Sequence, residues 1–133
     1  MSAWKSSALA ALAVAAFSAP AVAGDHPPVT PEAISLVEQN GGQVFKSKDE
    51  LALYIFDKDT AGKSVCNDRC AVAWPPVAAT KMDKAVGEWT IVTRDDGALQ
   101  WAYKGMPVYT YVKDDASTIA GDGVGGVWHL AKP

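Results

Sequence analysis

The sequence predicts a mainly β protein: an antiparallel meander of two pseudo-symmetric repeat units, preceded by one short N-terminal helix. Three observations carry that expectation. Short runs rich in β-branched and aromatic residues are separated by polar turns. Leu99, Trp101 and Tyr103 alternate with Ala98, Gln100 and Ala102, the period of a strand. A hexapeptide is also spelled twice, as YIFDKD from Tyr54 to Asp59 and as YTYVKD from Tyr109 to Asp114.

The first residues read as an export signal. Lys5 supplies a positive start, Ala8 to Phe17 an apolar stretch, and Ala21-Val22-Ala23 the small residues that precede a cleavage site. Residues 1–23 are therefore expected to be a signal peptide. Ser18 and Pro20 interrupt the run, which is too short for a permanent membrane helix. Residues 24–133, about 110 in all, suit one domain with one modest core, with half-repeats at about 43–80 and 86–133.

Asp25 to Pro31, DHPPVTP, is a proline-rich lead-in. Pro31 suits a first helical position, Ile34, Leu36 and Val37 give an apolar side, and Gly41-Gly42 are a stop, so a short helix is expected here. Strands follow at Gln43 to Lys46 and Leu51 to Phe56, joined by the polar turn from Ser47 to Glu50. A loop from Asp57 to Val77 holds one helical turn, Cys70 to Trp74, which Pro75-Pro76 must stop. Glu88 to Thr93 and Ala98 to Tyr103 flank Arg94-Asp95-Asp96-Gly97, whose Asp-Gly is a hairpin signal. Lys104-Gly105 then leads into a strand from Met106 to Tyr111, and a last strand spans Gly126 to Ala131.

Cys66 and Cys70, in VCNDRC, are expected to pair. So short a loop adds only about 2 kcal/mol on the chain-entropy estimate. Without Lys5 the mature chain keeps 11 of the 12 basic residues against 15 acidic ones, a net charge of −4. With its Lys and Arg scattered, it lacks the clustered basic face of a nucleic-acid binder.

Laying one hexapeptide on the other aligns Tyr54 with Tyr109, Phe56 with Tyr111 and Asp59 with Asp114. Trp74 and Trp128 follow their respective motifs at nearly equal distance. Period two places Tyr54 with Phe56, and Tyr109 with Tyr111, on one strand face. The rings are expected to meet across the units, and each Asp to accept backbone N–H groups at its corner. Neither unit alone would bury its aromatic face.

These residues carry a resemblance. The two Tyr-x-aromatic-x-x-Asp motifs, with AWPPV after the first and GDGVGGVWHLAKP at the end, resemble the bacterial secreted-repeat family of exported proteins and predicted lipoproteins. The resemblance covers most of Leu51 to Pro133. It implies a periplasmic or cell-envelope protein of two repeats, and it implies no assigned activity. No Cys lies near the expected cleavage point, so the family's lipid anchor is not carried over.

Candidate chemistry is sparse. Of two histidines, His26 lies in the lead-in and His129 in the last strand; no GxSxG elbow is present, which argues against a hydrolase. The neighbouring carboxylates Asp57 with Asp59, and Asp114 with Asp115, read as solvated turn acids rather than a catalytic pair. DKDTAGKSVCND resembles a Ca²⁺ loop in the placing of Asp57, Asp59, Gly62 and Asp68, but Ala61 stands at a ligand position. Asp114, Asp115 and Asp122 offer a second acidic loop without that spacing. A transition metal would draw on His129, with Met106 and His26. Gly121 to Gly126 is glycine-rich but lacks the Lys of a phosphate loop.

The expected function is thus that of an exported envelope protein with a non-catalytic aromatic recognition surface. Trp74, Trp89, Trp101, Trp128 and the motif tyrosines would supply it, for an envelope protein or a small apolar ligand. The alternative is Ca²⁺ or transition-metal binding through Asp57, Asp59, Asp68 and His129, with no other cofactor expected. An enzyme ranks third.

Overall fold

The computed structural model describes residues 28–133. The expected signal peptide and His26 lie outside the described residues. Strand β1 (Ile34–Gln39) pairs antiparallel with β2 (Gly42–Ser47), with Ile34 opposite Ser47 and Val37 opposite Val44. The short helix expected after Pro31 is therefore a strand. Asn40 and Gly41 both have positive φ, 55° and 82°, as a two-residue hairpin turn requires. Asn-Gly there joins two strands rather than ending a helix. Ile34 and Val37, with β-branched side chains, favour the extended backbone on which they sit.

Strand β3 (Tyr54–Phe56) pairs antiparallel with the last strand, β7 (Trp128–Leu130), bringing Tyr54 opposite Leu130 and Phe56 opposite Trp128. A simple meander does not contain that pairing; it ties the middle of the chain to its end. Helix α1 (Arg69–Ala73) forms close to the expected helical turn and stops before Pro75. Strands β4 (Trp89–Thr93), β5 (Leu99–Tyr103) and β6 (Met106–Pro107) make the third sheet, in the order β4-β5-β6. The ladder expected up to Tyr111 ends at Pro107. Beyond it the chain changes partners, and Tyr109 bridges Tyr54 on one side and Pro76 on the other. The glycine-rich stretch before β7 is a 3₁₀ turn, Val124–Gly126, so the last strand starts two residues later than expected.

The core has two parts, and the strand period explains them. Phe45, Leu53, Trp89, Trp101 and Val108 belong to one buried cluster. Their sequence neighbours Val44, Ala52, Tyr54 and Tyr109 belong to the other, with Phe56, Trp74 and Trp128. Successive side chains leave a strand on opposite faces, so both faces of these strands are covered. That is why Gln100 and Ala102, on the strand face opposite Trp101, are fully buried too.

Candidate functional site

The repeated hexapeptides meet at the middle of the molecule. Tyr54 N–H donates to Tyr109 C=O at 2.8 Å, and Tyr109 N–H donates to Tyr54 C=O at 2.9 Å. Their side chains then cross over. The Tyr109 hydroxyl donates to Asp59 Oδ2 at 2.6 Å, and the Tyr54 hydroxyl donates to Asp114. Each motif's tyrosine therefore holds the other motif's aspartate.

Each aspartate also ties its own corner. Asp59 Oδ1 accepts from Val65 N–H at 2.7 Å, and Asp114 Oδ1 accepts from Ala120 N–H at 2.6 Å, six residues on in both cases. A pair of backbone bonds between the units is likewise reciprocal: Asp57 N–H donates to Val127 C=O at 2.8 Å, and Val112 N–H to Ala73 C=O at 3.1 Å. This reciprocity requires an even pair of units; one hexapeptide alone would leave a phenol and a carboxylate without partners.

The rings behave likewise. Trp74 and Trp128 stack on each other, centroids 3.9 Å apart and planes 4° from parallel. Tyr111 stacks on the outer face of Trp74 at 4.0 Å and Phe56 on that of Trp128 at 4.2 Å. Four rings thus form one column, two from each repeat. Tyr54 meets Trp74 edge-on and Tyr109 meets Trp128 edge-on, the other favoured aromatic geometry.

Burial sets the electrostatics. Desolvation, then the neighbouring carboxylates, push both phenols well above the ordinary tyrosine range. Asp59 is also held above the ordinary carboxylate range; its burial outweighs the bonds from Tyr109 and Val65 and the Arg94 charge. On the surface the balance is reversed. Asp95 is lowered by the hydrogen bond from Lys63 and then by Asn67, and Asp115 by Ser117 and Thr118.

Arg94, Ser64 and Gln100 form a buried polar network that the sequence reading missed. Arg94 Nη1 donates to Gln100 Oε1 at 2.7 Å and to Ser64 Oγ at 3.0 Å, and its Nη2 to Cys66 C=O at 2.6 Å. Ser64 Oγ lies 2.6 Å from the Tyr109 hydroxyl, so a buried cation reaches the Tyr109–Asp59 pair through one hydroxyl. Arg94 beside Asp95-Asp96-Gly97 reads as a turn residue, and nothing local in the sequence marks it as buried. The Cys66–Cys70 disulfide is formed, and it frames the loop whose Cys66 carbonyl receives Arg94.

The expected aromatic surface is not formed by the tryptophans. Trp74, Trp89, Trp101 and Trp128 are all buried, none more than 5% exposed. Ring area gains most by leaving water, and stacking and two-sided packing take all four inside. Tyr54 and Tyr109 are sealed as well; Tyr111 alone among the motif tyrosines is half-buried.

The expected metal ligands do not converge either. Asp59 faces inward and both its oxygens are committed. Asp57 pairs instead with His129, Oδ2 to Nε2 at 2.8 Å, on the exposed side of the β3–β7 pair. Asp68 precedes α1 with φ at 55°, and Met106 lies in β6. Among the described residues no group of three or more His, Cys, Asp or Glu is placed to hold a metal ion.

No described helix is long and apolar enough to cross a membrane. Comparison with curated proteins and with solved structures finds no match. A family model described as a secreted repeat of unknown function matches twice, over residues 35–78 and 90–132. These stretches are the two units whose tyrosines and aspartates interlock, and the chain belongs to that secreted-repeat family.

Proposed function

We propose that the chain is exported to the cell envelope and acts there as a non-catalytic interaction module, with its surface grooves, not its repeated motif, as the contact region. The leader-like residues 1–23 and the family's secreted character support export. One observation carries the rest. The motif's phenols and carboxylates are spent on each other inside the molecule, so its acid–base groups are not poised toward a cleft. Solvent-facing features include surface grooves, the Asp57–His129 and Lys63–Asp95 pairs and exposed apolar side chains such as Val72 and Val112.

Site-specific photo-crosslinking in the exporting cells tests this reading. A photoreactive residue at Gln43, Lys48 or Val112 is expected to yield discrete adducts, and one at buried Val108 none. Absence of adducts at every surface position, with turnover of a hydrolase substrate by the purified chain, would reverse it.

A further inference from the structure

The hydrogen bonds of the β4–β5 hairpin decide which way each backbone group of β4 points. Lys104 N–H donates to Glu88 C=O at 2.8 Å, and Arg94 N–H donates to Ala98 C=O at 2.8 Å, so the even-numbered residues between them face β5. Trp89, Ile91 and Thr93 therefore turn their N–H and C=O groups away from it. Trp89 satisfies its own outward groups on Val86, donating to its C=O at 2.9 Å and accepting from its N–H at 3.0 Å. Among the described residues nothing bonds the outward N–H and C=O groups of Ile91 and Thr93.

The first repeat has the matching edge. Ile34 N–H donates to Pro31 C=O at 2.9 Å as Trp89 does to Val86, and Leu36 and Glu38 stand where Ile91 and Thr93 stand. The two edges differ in what guards them. Glu38 is exposed and puts a carboxylate on the outward row of β1, a common protection against strand addition. From Trp89 to Thr93, β4 has no charged residue and no proline, and its ladder with β5 is unbroken. Thr90 and Thr93 are exposed and Ile91 is half-buried against the core. An open, uncharged edge rich in β-branched residues is completed by another strand.

The size of the edge selects the kind of strand. At about 3.4 Å per residue, β4 offers a strip about 17 Å long and one strand wide. Such a strip falls far short of the ~800 Å² per partner in a stable complex of two rigid proteins, a second copy of this chain included. An extended segment avoids that limit, because it takes main-chain bonds from the strip and lays side chains along both sheet faces. Charge sets its end. Glu88 pairs through its backbone with Lys104, and Asp95 is bridged by Lys63, but Asp96 has no basic partner among the described residues. An antiparallel partner brings its N-terminal end toward Asp96, so a basic residue fits there.

We infer that the outer edge of β4 is a docking site for an extended strand of a partner protein, uncharged and β-branched at its centre and basic at its N-terminal end. Ile91 and Thr93 supply the main-chain bonds. This inference rests on the interaction-module reading and adds a contact outside its grooves.

Amide hydrogen exchange of the chain from residue 24 onward tests it, with the acetylated and amidated peptide KTVTVTV as probe. In the chain alone, Ile91 and Thr93 N–H should exchange readily while Thr90 and Val92, bonded to β5, are protected. At saturating peptide, exchange at Ile91 and Thr93 should slow at least about tenfold, with Leu36 and Glu38 unchanged. The same peptide N-methylated along its bonding edge should protect neither residue. Thr93→Pro, which removes an outward donor, and Thr93→Lys, which charges an exposed position, should each weaken binding at least about tenfold. No slowing with the peptide, or equal slowing at Leu36 and Glu38, overturns the assignment to β4. Slowing that the N-methylated peptide reproduces overturns strand pairing. Protection already present without peptide overturns the partner strand: it belongs to a second copy if it grows with concentration alongside a dimer in analytical ultracentrifugation, and to the chain's own N-terminus if starting at residue 28 removes it. All these failures leave crosslinks at Gln43, Lys48 and Val112 standing, so the two readings fall separately.

Discussion

Tyr109 and Tyr54 occupy matching positions but unequal surroundings. Tyr109 shares its hydroxyl with Ser64 and with an Asp59 that is only 5% exposed, whereas Asp114 is half-buried. Removing the Tyr109 hydroxyl leaves a buried carboxylate short of a donor, and a buried group left without its partner costs about 1–3 kcal/mol, more when charged. Tyr109→Phe is therefore expected to destabilise by about 3 kcal/mol and Tyr54→Phe by about 1–2 kcal/mol, measured by urea unfolding at neutral pH. Equal losses would contradict the difference in burial.

The two phenols also predict an alkaline limit. Their folded pKa values lie above the unfolded one, so the native state holds these protons more tightly. Their contribution is complete below the ordinary phenol pKa of about 10 and is lost as pH rises beyond it toward the folded values. Melting temperature should fall above about pH 10 in the parent chain. It should fall less steeply in Tyr54→Phe and Tyr109→Phe, each lacking one of the protons concerned. Asp59 has the same sign at the acid end: its contribution is present below the ordinary carboxylate range and lost as pH rises through its raised pKa.

Among the elements, the loop before the 3₁₀ turn is tightly constrained at Gly121. A Cβ on Gly121 would lie 2.8 Å from Trp74 Cη2 and from Tyr54 Cζ, closer than real carbon contacts. Gly121 N–H also donates to the Tyr54 hydroxyl at 3.1 Å, so the loop cannot withdraw without losing that bond. Gly121→Ala should cost about 1–3 kcal/mol, the usual range for overpacking a rigid core, and shift the near-ultraviolet signal of the stacked tryptophans. An unchanged melting temperature and spectrum would show that the loop yields. At the other end of the chain, the strand β1 stands where the sequence predicts a helix. Ile34, Leu36 and Val37 fit one side of a helix, but Asn40-Gly41 was the decisive local signal, since its two positive φ angles suit a tight hairpin.

Across the whole molecule, the two repeats complete each other. The crossed Tyr–Asp bonds, the mutual Tyr54–Tyr109 backbone pair and the Trp74–Trp128 stack all join one repeat to the other. Residues 28–80 and 81–133, produced separately, should each lack dispersed amide spectra. Mixed together they should regain the native spectrum with a folded 1:1 complex, by NMR and analytical ultracentrifugation. A half that folds alone would show that its own hairpin suffices.

The double hexapeptide, the Asp-Gly turn and the spacing of the cysteines made two β units, a local disulfide and paired aromatic strands legible from residue order, because turn chemistry and strand period act between near neighbours. The side of the fold that each ring faces was not legible in that way. Burial of Trp74, Trp89, Trp101 and Trp128, inward rotation of Asp59, and entry of Arg94 into the core depend on partners tens of residues away. Local order could repeat a tyrosine and an aspartate. Their exchange between repeats arose when distant segments packed and buried polar groups had to find partners.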